Sequence, residues 1–132
     1  MTKITPNQQL ANEAYAHLKK TGKQSLQDHP NGGRKVCIYS STGCAFSPAV
    51  LPEKRKECDE LFICAGDLIY THPECLQPWA QRVSPAFAND VQDAHDNINA
   101  LSQTFFQDFS DSLLLLCEEY ELEYPGDNDA DV

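Results

Sequence analysis

His95-Asp96 is the dipeptide with the sharpest chemical meaning in this chain. An adjacent histidine and aspartate can both ligate one divalent metal for phosphate-ester hydrolysis. That chemistry also needs an earlier histidine and a later aspartate on neighbouring helices. His72 with Asp108 or Asp111 are the residues available for those roles. The simpler reading places His95 and Asp96 at a helix end, satisfying loose backbone groups. A second set, Cys58, Cys64, His72 and Cys75, has the right ligand types for structural zinc. Zinc sites usually combine two closely spaced pairs, however, and only His72-x-x-Cys75 supplies one. Nucleophilic cysteine chemistry would need a thiolate beside a histidine, and no local signature for it is present. No glycine-rich phosphate cradle occurs either. Lys54-Arg55-Lys56 is a basic triplet flanked by Glu53 and Glu57, the pattern of a solvated helix face. No cofactor is expected from these motifs.

The elements that must position these residues follow from periodicity. From Ser84 to Tyr124, apolar residues recur at Phe87, Val91, Ala94, Ile98, Leu101, Phe105, Phe109, Leu113, Leu116 and Tyr120. Steps of three and four over so long a run indicate amphipathic helix. Asp96-Asn97-Ile98-Asn99 is poor helix material, so the region is expected to break there, with a second helix from about Leu101 to Glu123, stopped by Pro125-Gly126. Ser84-Pro85 and Thr5-Pro6 share a cap-plus-proline helix start. The Thr5 helix carries Leu10, Ala11, Ala14, Tyr15 and Leu18 on one face and ends at Gly22, with His17 at the edge of the stripe. His29 to Gly33 is a turn-rich loop. Lys35 to Tyr39 is expected to be a strand, paired antiparallel with Cys44-Ala45-Phe46 across the turn Ser40 to Gly43. A helix from Pro52 to about Cys64 follows. Leu68-Ile69-Tyr70 suits strand or helix. Thr71 is expected to cap a helix over His72 to Arg82 that carries Leu76 and Trp79 inward and kinks at Pro78. The fold class is therefore mainly α (α+β): four to five helices with one small antiparallel β-hairpin near 35–46. Residues 1–124 form the domain, and 125–132 an acidic disordered tail.

At 132 residues the chain is of single-domain size, enough to bury about 65–70% of its unfolded surface without staples. The longest apolar run, Leu113 to Cys117, is five residues, far short of the ~20 a membrane span needs. The start of the chain lacks the layout of a secretory signal. A cytoplasmic protein is the expectation. The six cysteines are irregularly spaced and are compatible with reduced core thiols, disulfides or a metal site.

Charge is strongly segregated. All ten Lys and Arg lie at or before Arg82, and residues 83–132 carry twelve carboxylates and no cation. Such a surface repels nucleic acid and attracts a basic patch on a partner.

Cys37-x-Tyr39, then Gly43-Cys44-Ala45, then Gln92-x-Ala94-His95-Asp96 ahead of an amphipathic helix, resemble a family of small uncharacterised phage and prophage proteins. Members open with a helix like Asn12 to Lys20 and a turn like Gly22 to Ser25. Ser40 and Ser47 depart from the family pattern, which has arginine and glycine there. The resemblance spans about Leu10 to Tyr124 and implies a small accessory protein with no assigned activity.

The expected function is non-enzymatic: binding and inhibition of a host protein, a defence or nucleic-acid-handling factor, through an acidic helical surface of Asp90, Asp93, Asp108, Asp111, Glu118 and Glu119. Such carboxylates could mimic a phosphate backbone. The alternative is a small-ligand or signalling-nucleotide binder with a pocket beside Cys37 to Ser47, using Tyr39, Arg34, Lys35, Lys54, Arg55 and Arg82. A homodimer through the long helices is a third option.

Overall fold

Thr5 and Pro6 start α1 (Pro6–Thr21) as their types require: the Thr5 hydroxyl accepts the Gln8 N–H at 3.1 Å, and Gly22 ends the helix in the left-handed region. The structure is a computed structural model that describes residues 4–28, 30, 32, 35–40, 43–99 and 102–126, with residues 28 and 35–37 described in backbone only. Arg34, Leu101, the turn at 41–42 and the tail 127–132 lie outside the described residues.

The fold is mainly helical with one small antiparallel hairpin, but the hairpin has a different partner from the expected one. β2 (Lys35–Cys37) pairs with β1 (Leu26–Asp28), in the register Leu26–Cys37, Gln27–Val36 and Asp28–Lys35. Cys44-Ala45-Phe46 is instead a turn into a 3-10 segment, Ser47–Ala49. All three of its side chains are buried, so it cannot present the alternating faces of a two-sided strand. One link of the expected pairing survives: the Cys44 N–H donates to the Ile38 carbonyl.

The expected Pro52–Cys64 helix is a 3-10 turn, Pro52–Lys54, continued by a short α2 (Arg55–Asp59). Phe62, at φ 55°, turns the chain away before Cys64. Leu68 to Tyr70 are helical, within α3 (Ala65–Thr71). No helix covers His72 to Arg82. Two 3-10 segments, Pro73–Cys75 and Pro78–Arg82, flank an extended Leu76 that bridges Val50, and Pro78 begins its segment rather than kinking a longer one. Thr71 closes α3 instead of capping, its hydroxyl donating to the Asp67 carbonyl.

The long C-terminal region breaks where expected, giving α4 (Pro85–Asp96) and α5 (Phe105–Glu119). α5 begins later than Leu101. It also ends earlier than Glu123, because Glu121 adopts φ 57° and the Leu122 N–H returns to the Cys117 carbonyl. That pattern is a Schellman stop, formed without glycine. Phe87 packs edge-on to Tyr120, and His95 edge-on to Phe105, so α4 and α5 run antiparallel. α3 crosses α4 closely at Gly66, whose N–H donates to the Asn89 side chain at 2.7 Å; a Cβ there would meet the Pro85 carbonyl at 2.8 Å. α1 closes the core, its Tyr15 ring set against Phe106 and Tyr124. Gln8 exchanges two hydrogen bonds with the Glu123 backbone, each 2.8 Å.

Candidate functional site

The last turn of α4 buries His95 completely. The Ser25 backbone N–H, in the turn after α1, donates to its Nε2 at 3.1 Å. A nitrogen that accepts carries no proton, so the ring is neutral and protonated at Nδ1. Nδ1 then donates to Asp96 Oδ1 at 2.6 Å, and the same oxygen accepts Gln92 Nε2 at 2.7 Å. The contact is thus a hydrogen bond from a neutral imidazole, although it has ion-pair spacing. Gln24 completes the assembly, its amide donating at 2.9 Å to both the His95 and Ile98 carbonyls at the open end of α4. Both ring nitrogens are engaged, so His95 offers no lone pair to a metal. His72 is held elsewhere, its Nδ1 2.7 Å from the Thr71 hydroxyl. Asp108, in the first turn of α5, accepts the Ser102 hydroxyl, and Asp111 is exposed on that helix. Among the described residues, no three His, Cys, Asp or Glu side chains converge to hold a metal ion. The role of His95 is to tie the end of α4 to the turn after α1.

Of the four zinc candidates, Cys58 and Cys75 come together. Both are buried, their thiols hydrogen-bond one another, and Cys75 Sγ lies 3.6 Å from a Glu57 oxygen. Burial above all, then Cys75 and the Glu57 and Asp59 carboxylates, pushes the Cys58 thiol up to about 12. Burial likewise raises Cys75. Such thiols stay protonated at neutral pH and are poor nucleophiles. Cys64 is exposed ahead of α3, with its thiol also raised by burial. Cys58, Cys64 and Cys75 are free thiols.

Of the residues of the ligand-binding alternative, Arg34 lies outside the described residues. Tyr39 is buried, Lys54 faces Glu57 at 3.9 Å, Arg55 Nε donates to the Val50 carbonyl at 3.3 Å, and Arg82 is exposed. Lys35 is described in backbone only. A cleft of about 460 Å³ lies elsewhere, lined by Lys23, Leu26, Asn99, Ser102 and Phe105 among others. It is assembled from two segments far apart in sequence, one holding Gly22, Lys23, Gln24 and Leu26 and the other Asn99, Ser102 and Phe105, which no local motif announces. Its α5 rim is already served by an anion: Asp108 accepts the Ser102 hydroxyl at 2.7 Å and the Thr104 hydroxyl at 3.3 Å.

The six acidic residues divide by use. Asp90 accepts the Tyr120 hydroxyl at 2.6 Å, and this bond, followed by burial, lifts the phenol to about 12. Asp108 accepts the Ser102 and Thr104 hydroxyls. Asp93, Asp111, Glu118 and Glu119 are exposed. Partial burial and the neighbouring Asp96 and Asp90 raise the Asp93 carboxyl above its ordinary range. Two residues absent from the sequence-based set stand with them: Leu114 and Leu115 are 37% and 65% exposed. Helical spacing divides the run Leu113 to Cys117. Leu113 and Cys117 point inward with Phe109, while Leu115 falls between Asp111, Glu118 and Glu119. No helix among the described residues is long and apolar enough to cross a membrane. Compared with protein-family models, curated proteins and solved structures, the chain matches none.

Proposed function

We propose that this is a non-enzymatic binding protein that acts through the outer face of α5 on a basic surface of another protein. The observation that carries the reading is the exposure of Asp111, Glu118 and Glu119 on one side of a helix that holds no Lys or Arg. The groups best suited to catalysis support it from the other direction. His95 spends both nitrogens on internal bonds, and Cys58 and Cys75 are shielded thiols. The resemblance to small phage and prophage proteins supplies a setting, in which the partner is a host defence or nucleic-acid-handling factor and binding inhibits it. Phosphate mimicry fits less well, since Asp90 and Asp108 already accept internal hydrogen bonds and apolar side chains interrupt the acidic row.

The test is affinity capture from host lysate at low salt, run beside the variant Asp111→Lys/Glu118→Lys/Glu119→Lys. Basic proteins should be retained by the native chain, released by roughly 0.3–0.5 M NaCl as screening grows, and not retained by the variant. Capture that is indifferent to salt and to the charge reversal would end the proposal. The cleft sustains a second reading, a small-ligand binder, since about 460 Å³ lies within the usual range of about 300–1,000 Å³ for ligand sites. Native mass spectrometry decides it: a retained small-molecule mass favours the cleft, and a bare chain favours α5.

A further inference from the structure

Leu114 and Leu115 are large apolar side chains that α5 turns outward rather than into the core. On a helix, residues three and four apart stand side by side. Leu115 is therefore neighboured by Asp111, Glu118 and Glu119, and Leu114 by Asp111 and Glu118. An apolar centre ringed by carboxylates limits what can cover it. A second copy of the chain in an isologous contact would set these carboxylates against their own equivalents, an arrangement of uncompensated like charge. Nucleic acid and anionic lipid fail for the same reason. The surface that fits carries an apolar stripe flanked by cations.

We infer, resting on the binding function proposed above, that α5 receives a basic amphipathic helix of the partner, its apolar stripe covering Leu114 and Leu115 and its Lys or Arg side chains meeting Asp111, Glu118 and Glu119. The leucines supply the desolvated centre on which affinity depends. The carboxylates orient the incoming helix and speed its arrival. Helix-on-helix contact is the geometry available, because α5 offers 15 residues of regular surface with its other face in the core.

The experiment uses the full chain and two labelled synthetic peptides of equal length and charge, followed by fluorescence anisotropy. One is a Leu/Lys amphipathic helix; in the other, serine replaces every leucine. The Leu/Lys peptide should bind at least about tenfold more tightly. Leu114→Ser/Leu115→Ser should abolish that advantage while leaving the circular dichroism spectrum unchanged. Should the double variant melt early, Leu115→Ala serves in its place and should shrink the advantage in the same direction. Equal binding of the two peptides would overturn the helix inference while leaving the acidic-surface function standing. So would a leucine advantage that survives these substitutions, because the peptide would then be seated elsewhere. Binding of neither peptide would remove the acidic-surface function as well.

Discussion

Replacing His95 by phenylalanine keeps an aromatic ring, slightly larger, beside Phe105, whose centroid lies 5.5 Å away, but removes both polar roles of the imidazole. The Ser25 N–H, buried and 3.1 Å from Nε2, loses its acceptor. An unsatisfied buried donor costs about 1–3 kcal/mol. Asp96 loses the Nδ1–H bond but keeps Gln92 and some solvent, its side chain being 22% exposed, so that part of the loss is small. The sum is about 2–4 kcal/mol, a large share of the ~5–15 kcal/mol stability of an ordinary domain. With an urea m-value near 2 kcal/mol per molar, the midpoint should fall by about 1–2 M. His95→Gln can still place a carbonyl oxygen near the Nε2 position and should lose about half as much as the phenylalanine variant. The assay is urea unfolding followed by far-ultraviolet circular dichroism, paired with nitrogen-15 NMR of the native ring. A His95→Phe midpoint equal to that of the native chain, or an imidazole protonated at Nε2, would refute the tautomer argument and the tying role built on it.

Three further outcomes follow from the geometry. Gly43 sits at φ 83°, and a Cβ there would come within 2.7 Å of the Ser47 hydroxyl and 3.0 Å of His17 Nε2, so Gly43→Ala should cost about 1–3 kcal/mol in thermal or urea unfolding; a neutral result would show that the loop relaxes freely. The Tyr120 phenol, raised from 10.0 to about 12, contributes stability that is fully present below pH 10 and lost as pH rises through 12. Absorbance titration at alkaline pH should show a late-ionising phenol that Tyr120→Phe removes, and its ionisation near 10 would contradict the Asp90 bond. At pH 8, a thiol-reactive disulfide reagent should modify exposed Cys64 in the native protein, and Cys58 and Cys75 after unfolding; fast native labelling of Cys58 would deny its shielding.

What periodicity and capping chemistry announce was legible beforehand. Thr5-Pro6, Gly22 and Ser84-Pro85 bound helices as their backbone preferences dictate, and the weak helix formers at 96–99 mark the break between α4 and α5. The middle of the chain was not legible for a physical reason. Leu26-Gln27-Asp28 has no β-branched or aromatic residue, yet becomes β1 through its antiparallel pairing with Lys35 to Cys37. Leu76 is extended because its neighbours complete the bridge with Val50, the Leu51 N–H reaching the Cys75 carbonyl and the Gln77 N–H reaching Ala49. These are tertiary decisions that no local window contains. His95-Asp96 shows the same limit at the candidate site. The sequence reading placed the pair at a helix end, but the acceptor role of Nε2 depends on Ser25, seventy positions earlier. The outward leucines were legible in principle, since the apolar stripe passes through Leu113 and Leu116 and the carboxylates at positions 111, 118 and 119 share the opposite face with Leu114 and Leu115.

The paired amide bonds between Gln8 and Glu123 impose an order on the making of the molecule. The partners lie 115 positions apart, so at roughly 5–20 residues per second a ribosome needs about 6–23 s to deliver the second after the first. Through that interval α1 is already synthesised, with Leu10, Ala14 and Leu18 awaiting cover. The cover arrives in stages, first from Ser47–Ala49, then from Pro78–Arg82, and last from α4 and α5. The nascent chain therefore displays its first helix as a sticky amphipathic segment for most of its synthesis.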